Sequence, residues 1–374
     1  MISVGITGQS GFIGTHLFNY LNLKKNEIKL IPFKDEYFQN TSQLRAFVKH
    51  CDAIVHLAAL NRHNDPDIIY STNIALVKQL IEALEVTGSK AHLLFSSSTQ
   101  EERDNAYGKS KHTGRILFEE WAGRNNVQFT GLIIPNVFGP FGNPYYNSVI
   151  ATFCHLLTHS GQPQLQVDSK LELIYINELV EEIYKLIIDP PIDFISSFRV
   201  KYTSEINVSG ILTLLENYKK LYFENGIFPN LDNPFELNLF NTFLTYIDIA
   251  NHFPVRLRQN IDERGSFVEV IRLNSGGQIS FSTTKPGVTR GNHFHTRKSE
   301  RFAVISGKAL IQLRRIGTDE ILNFELDGSE PSYVDMPVWF THNITNTGDE
   351  SLYTLFWINE PYNQNDPDTF FEVV

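Results

Sequence analysis

Sulfur is scarce in this chain, which has two cysteines and two methionines in 374 residues. Cys51 borders an apolar run and Cys154 lies in a predicted helix, so two buried free thiols in a reducing compartment are expected, with a disulfide between them as the alternative. Positive charge is short as well. With 32 Lys and Arg against 42 Asp and Glu, the net charge is -10. That balance excludes binding to nucleic acid or to an anionic membrane, which needs an excess of cations to displace counterions. No apolar run approaches the ~20 residues that span a bilayer, and no charged leader precedes the first apolar strand, so a soluble cytoplasmic protein is expected. Solenoid repeats and low-complexity tracts are missing too. What is present is 42% hydrophobic residues, enough for a core in each of two ordinary domains.

The rhythm of the chain changes once. From Met1 to about Phe240, short apolar runs (ISVGIT, IKLIPF, AIVHLAA, HLLFSSS, FTGLIIPN) alternate with amphipathic stretches, the pattern of a parallel sheet with crossover helices. From about Asn260 the runs become short and alternating (GSFVEVIRL, GQISFSTT, RFAVISG, KALIQLRRI, YTLFWINE) between Gly, Asp, Asn and Pro turns, which predicts an antiparallel barrel or sandwich. Between them, the aromatic-rich stretch around Phe240 to Asn260 is too apolar for a free linker and is expected to be a packed connector. The domains are placed at 1–245 and 246–374.

The first strand runs into Gly8-Gln9-Ser10-Gly11-Phe12-Ile13-Gly14. Glycines at this spacing let the backbone approach a pyrophosphate, and the helix that follows offers free amides to it. Three glycines alone mark nothing more than a tight turn; behind an N-terminal strand they point to a dinucleotide. The second strand ends at Lys34 where an NAD enzyme places an acid against the ribose hydroxyls, and a cation there suits the extra phosphate of NADPH. Asp35 and Glu36 follow directly and argue the other way. Tyr107 and Lys111 are four apart, on one face of a helix. A lysine ammonium there lowers the phenol's pKa from its usual ~10, making the tyrosine a usable proton donor.

These pieces, GITGQSGFIG, CDAIVHLAA, FSSSTQ, YGKSK and LIIPNVFGP, resemble an extended short-chain dehydrogenase/reductase, a Rossmann-like doubly wound α/β fold. The resemblance implies that Ser98, or Ser97 as alternative, holds the substrate carbonyl, that Tyr107 is the acid and that Lys111 binds ribose. Gly8, Gly11, Phe12, Ile13, Gly14, Lys34, Leu57 and Ala58 would meet the cofactor, with Asp52 toward the adenine and Asn136 and Asn147 toward substrate. Dehydratases of that superfamily follow the catalytic hydroxyl with Asp-Glu. Here Thr99-Gln100 follows Ser98, so ketone reduction or epimerisation is expected instead.

In the C-terminal part His293 and His295 alternate on one face of a strand, Glu300 lies just beyond, and His342 arrives from a later strand. Three imidazoles and a carboxylate form a ligand set for a divalent transition metal, zinc first, although four polar residues on a barrel face would read the same way. The spacing of Gly287, His293, His295, Glu300 and Gly307, then Pro337, His342 and Asn346, resembles the two cupin motifs, with Trp339 in place of a glycine and Pro331 at another usual glycine. DERGSFVEV and GQISFSTTKPGVTRGNHFH are similar to cupin 3,5-epimerases of keto-sugar nucleotides. In those the histidine after Arg-Gly-x is the proton-abstracting base, which falls on His293 and competes with its role as a ligand.

Both halves in this order, with YYNSVIATFC, GNHFH, THNI and the DPDTF tail, resemble the capsular-polysaccharide enzymes of the CapF type. The resemblance implies a UDP-2-acetamido-2,6-dideoxy-hexos-4-ulose as substrate, epimerised at carbon 3 by the cupin and reduced at carbon 4 with NADPH. The product would be UDP-N-acetyl-6-deoxy-talosamine for capsule synthesis, and the enzyme a homodimer through its cupin. The alternative is a 4-epimerase with tightly held NAD and a cupin that only dimerises.

Overall fold

The computed structural model describes residues 1–374. The chain divides into two compact units: residues 1–138, 142–149 and 170–206 form the first, and residues 139–141, 150–169 and 207–374 the second. The sequence boundary at 245/246 falls inside the second unit.

The first unit is built on strands β1 (Ile2–Thr7), β2 (Ile28–Ile31), β3 (Ala53–His56), β4 (His92–Ser98), β5 (Phe129–Ile134) and β6 (Ile195–Arg199). They are all parallel, in the order β2-β1-β3-β4-β5-β6. Helices α1 (Phe12–Asn22), α2 (Thr41–Lys49), α3 (Pro66–Thr87) and α4 (Ala106–Asn125) are the crossovers after β1, β2, β3 and β4. β3 and β5 are apolar almost throughout because helices cover both faces of such a sheet. Phe47, Leu80, Leu84, Phe95, Phe118, Trp121 and Phe129 are buried together in one cluster, each large side chain contributing ~2–3 kcal/mol of apolar burial. The strand order reverses between β1 and β3, and ligands of doubly wound sheets bind at such a point, beyond the carboxyl ends of the strands.

In the second unit strands β7 (Gln278–Thr284), β8 (Thr289–Phe294), β9 (Glu300–Ser306), β10 (Lys308–Arg315), β11 (Ile321–Asp327), β12 (Ser332–Met336), β13 (Phe340–Asn346) and β14 (Leu352–Ile358) are antiparallel. One five-stranded sheet runs Val255–Arg256, β12, β9, β14, β7, and the other runs β11, β10, β13, β8, Phe370–Phe371. The two share a core that includes Phe302, Val304, Ile311, Leu313, Phe324, Val334, Met336 and Ile344. The expected connector is packed as the sequence suggests. It begins in the last turns of a helix, Pro234–Leu244, whose Phe240 and Phe243 are fully buried, and it lies within the second unit and not between the two. Cys51 and Cys154 are free and buried, and burial pushes the Cys51 thiol up to about 12. No helix is long and apolar enough to cross a membrane.

Candidate functional site

The glycine loop lies at the carboxyl end of β1. Gly8 has φ 69° and its α-carbon faces the Ala58 backbone so closely that a Cβ would lie 2.7 Å from the Ala58 nitrogen. A side chain at Gly14 would press into the Gly8 carbonyl oxygen. The loop therefore closes only with glycine at both positions. Leu57 donates its amide to the Thr7 carbonyl at 3.1 Å and Ala58 donates to Thr7 Oγ1 at 3.4 Å, tying the ends of β1 and β3 together. Phe12 and Ile13 open α1, whose N-terminus has no side-chain cap and no acid in its first turn. Its amides are therefore left for an anion.

On the neighbouring strand end, side chains alternate. Ser97 donates to Glu101, and Glu101 in turn takes hydrogen bonds from Arg115 Nε at 3.0 Å and Arg115 Nη2 at 2.9 Å. Burial works to raise the Glu101 carboxyl, but the hydrogen bonds from Arg115 and Ser97 outweigh it and hold the carboxyl low. Ser98 accepts from the Gln100 amide at 3.2 Å, which leaves its own proton to donate. Of the two alternatives, Ser98 is thus the hydroxyl not already committed to a carboxylate. Asn105 caps α4, accepting from the Gly108 amide at 2.8 Å, and starts the helix so that Tyr107 lies in its first turn and Lys111 one turn on. Lys111 Nζ donates to the Ser96 carbonyl at 2.8 Å and lies 5.6 Å from the centre of the Tyr107 ring. Burial brings this lysine down to about 7 and pushes the Tyr107 phenol up, with Tyr146 adding to the rise; the lowering of the phenol expected from a neighbouring ammonium is thus corrected, because burial outweighs it.

The remaining expected contacts are scattered. Asp52 precedes β3 and accepts from the Ser3 amide at 2.8 Å, beside the amino end of β1. The place expected for it toward the adenine is corrected, because the glycine loop is at the other end of that strand. Lys34 is exposed at the end of the β2 run, and its neighbour Asp35 accepts from Ser10 in the glycine loop at 2.8 Å. Asn136 donates to the Glu172 carbonyl at 3.1 Å, and Asn147 is exposed in a segment whose Tyr145 and Tyr146 carbonyls both accept from Arg62 at 3.0 Å. Sequence reasoning missed Glu101 and Arg115; their only signal was a buried-face arginine on α4 and an acid four residues after Ser97.

The four candidate ligands come from both sheets of the second unit. His293 and His342 are cross-strand partners on β8 and β13, His295 follows β8, and Glu300 opens β9. A bulge at Gly291/His293 leaves Asn292 at φ 58° and re-aims the strand just before the first histidine. One ligand atom from each of the four residues lies within 4.8 Å of the others. Trp339 occupies its glycine-type position at φ 64°, donating its amide to the His295 carbonyl at 2.8 Å and stacking on Phe294.

The donor chemistry fits a cation. His295 Nδ1 donates to the Asp368 carbonyl at 2.5 Å and His342 Nδ1 to the Phe340 carbonyl at 3.1 Å. A carbonyl can only accept, so the proton of a neutral ring sits on Nδ1 and its Nε2 carries a lone pair. Those two nitrogens lie 3.2 and 2.9 Å from Glu300 Oε2. All three atoms are buried without a hydrogen-bond partner, and with both rings neutral they are acceptors facing one another. A shared divalent ion resolves that conflict. Burial would raise Glu300, yet His295 and His342 hold it far below the usual carboxylate range. His295 is raised, its contact with Glu300 overcoming burial. His293 is brought down to about 4, by burial first and His342 second. It is the most open of the four, 26% exposed against 8% or less for the others.

Two family models match this chain, the NAD dependent epimerase/dehydratase family over residues 4–190 and the polysaccharide biosynthesis C-terminal domain over residues 260–370. The capsular polysaccharide assembling protein CapF from Staphylococcus aureus is 34% identical, with 100% of each chain covered and a TM-score of 0.63. The chain belongs to the CapF family. Within that family's reach, the UDP-2-acetamido-2,6-beta-L-arabino-hexul-4-ose reductase of Pseudomonas aeruginosa is 30% identical over 99% of this chain and 98% of its own. The spore coat polysaccharide biosynthesis protein SpsL of Bacillus subtilis is 26% identical over 30% of this chain and 82% of its own. CapF membership accounts for the doubly wound first unit and the antiparallel second one in a single chain.

Proposed function

We propose that this CapF-family chain is a bifunctional sugar-nucleotide enzyme acting on a UDP-2-acetamido-2,6-dideoxy-hexos-4-ulose. It epimerises carbon 3 at the cupin and then reduces carbon 4 with NADPH to UDP-N-acetyl-6-deoxy-talosamine. The observation that carries the reading is the pairing, in one chain, of a glycine loop, Ser98 and the Tyr107-Lys111 pair at the strand ends and helix starts of one parallel sheet with the His293-His295-Glu300-His342 cluster. The substrate class is supported by the Pseudomonas relative's name.

The order of steps follows from acidity. A hydrogen on carbon 3 can leave as a proton only while carbon 4 is a ketone, since the carbanion must delocalise onto that oxygen. Epimerisation therefore comes first. His293, His295, Glu300 and His342 would hold a divalent ion, zinc first among the expectations, which supplies positive charge that favours enolisation. His293 has one lone pair and cannot be ligand and base at once. It is the most open of the four, 26% exposed, so off the ion it would take the carbon 3 proton while His295, Glu300 and His342 keep the ion in place. Solvent would return a proton to the opposite face. In the first unit Ser98 would orient the ketone, Tyr107, kept protonated by burial, would donate the proton to the carbon 4 oxygen, and Lys111 would hold the ribose of the nicotinamide cofactor that supplies the hydride. The exposed Ile279 and Phe281 on strand β7, 57% and 74% exposed, support pairing of two copies through the barrel.

The test is to incubate the purified chain with the UDP-4-keto sugar in deuterated water. Without NADPH, deuterium should enter at carbon 3 and no reduced sugar should form; with NADPH, one equivalent should be oxidised per talosamine product. Turnover without net NADPH consumption would instead establish the NAD-retaining 4-epimerase.

A further inference from the structure

The last residues of the chain carry no part of the ligand set, yet they are built into it. Asp368 is 4% exposed and sits at φ 41°. Its carboxylate accepts from three consecutive backbone amides, Thr296 at 3.1 and 3.2 Å, Arg297 at 3.0 Å and Lys298 at 3.2 Å, and from the Thr296 hydroxyl at 2.7 Å. Those amides belong to the short loop that joins His295 to Glu300. Successive N–H groups of this kind form an anion-binding nest, and here the anion is the chain's own tail. The main-chain carbonyl of the same Asp368 takes the Nδ1 proton of His295. One residue thus fixes both the ring of one ligand and the loop that leads to the next.

The rest of the tail holds Asp368 in place. Phe370 stacks on Phe294 at 5.4 Å between ring centres, and residues 370–371 add a strand to the edge of β8 opposite Phe294 and His293. Thr341, next to His342, donates its hydroxyl to the Glu372 carbonyl at 2.5 Å, and Arg314 donates to the Val373 carbonyl at 2.7 Å. Lys298 Nζ donates to the Pro367 carbonyl at 2.9 Å.

We infer that Asp368 is a positioning residue for the metal centre, and that residues 366–374 act as a clasp that holds it against the His295 ring and the loop to Glu300. The inference rests on the metal reading given above. Outer partners of this kind change metal affinity by about 10–100-fold when lost.

The experiment is a competition titration of the full-length chain, with zinc as the probe against a chromophoric chelator, for wild type, Asp368→Ala and Asp368→Asn, with circular dichroism to verify folding. Both variants keep the main-chain carbonyl that holds His295 and differ in the side-chain acceptors. Asp368→Ala, which frees the loop amides, should weaken zinc binding about 10–100-fold, and Asp368→Asn, which keeps one acceptor oxygen, should fall between it and wild type. If Asp368→Ala does not fold, the Asp368→Asn titration decides alone: affinity below wild type supports the clasp, and equal affinity overturns it. A folded Asp368→Ala chain that binds zinc as tightly as wild type overturns this inference and leaves the metal reading standing. A wild-type chain that binds no zinc overturns both.

Discussion

The two candidate sites are assembled in opposite ways. In the first unit the reacting groups come from one strand end and the helix that follows it, Ser98 to Lys111, and their partners are near in sequence. In the second unit the ligands come from three strands, and the atom that orients His295 lies 73 residues away in the tail. A site made of short-range spacing is readable from sequence and tolerant of distant change. One made of long-range contacts depends on residues that look inert.

The largest expected effect falls on the long-range site. His342→Ala should take metal content from one ion per chain to nearly none and abolish deuterium exchange at carbon 3, because it removes a ligand from the middle of β13. Metal analysis after dialysis checks it, and undiminished metal would mean that the ligands lie elsewhere. A smaller effect tests cofactor choice in the first unit. Lys34→Ala should raise the KM for NADPH about tenfold, the worth of one charge-assisted hydrogen bond, and leave the KM for NADH unchanged. Equal effects on both would show that Lys34 does not meet the extra phosphate and that Asp35, bound to the glycine loop, governs the ribose end.

A third effect, read on stability and not on turnover, separates burial from function. Lys111 titrates at about 7 when folded and near ~10.4 when unfolded. Between those values the unfolded chain binds more protons, so stability rises with pH across that window, and below about 7 the burial penalty is felt in full. Lys111→Met should therefore stabilise the first unit by on the order of 4–5 kcal/mol at pH 6, about 1.4 kcal/mol for each pH unit of that window, with the gain shrinking toward pH 10. Urea denaturation at the two pH values measures it, and a gain independent of pH would place its cause outside this ionisation.

Much of the architecture was legible. The change from helical crossovers to short alternating strands separated a doubly wound sheet from two antiparallel ones, because side-chain period reports which faces are buried. The i, i+4 spacing of Tyr107 and Lys111 and the i, i+2 spacing of His293 and His295 follow from the same two periods. Asp52 was misplaced although the signal was there: it precedes an apolar strand, and so stands at the amino end of the sheet, away from the loops that bind ligands. Glu101 and Asp368 were not legible. Each acts through a contact that no local pattern encodes, one with Arg115 on the next helix and one with backbone amides across the barrel. The compact second unit also begins earlier than the change of rhythm, since the helix at 234–244 buries Phe240 and Phe243 with the C-terminal part of the chain.

The central claim is that the two chemistries are separable, and Tyr107→Phe tests it most directly. The variant keeps the ring and loses only the proton donor. Incubated with the UDP-4-keto sugar and NADPH in deuterated water and followed by NMR, it should oxidise no measurable NADPH while deuterium still enters at carbon 3. Loss of the carbon 3 exchange together with the reduction would contradict the division of labour.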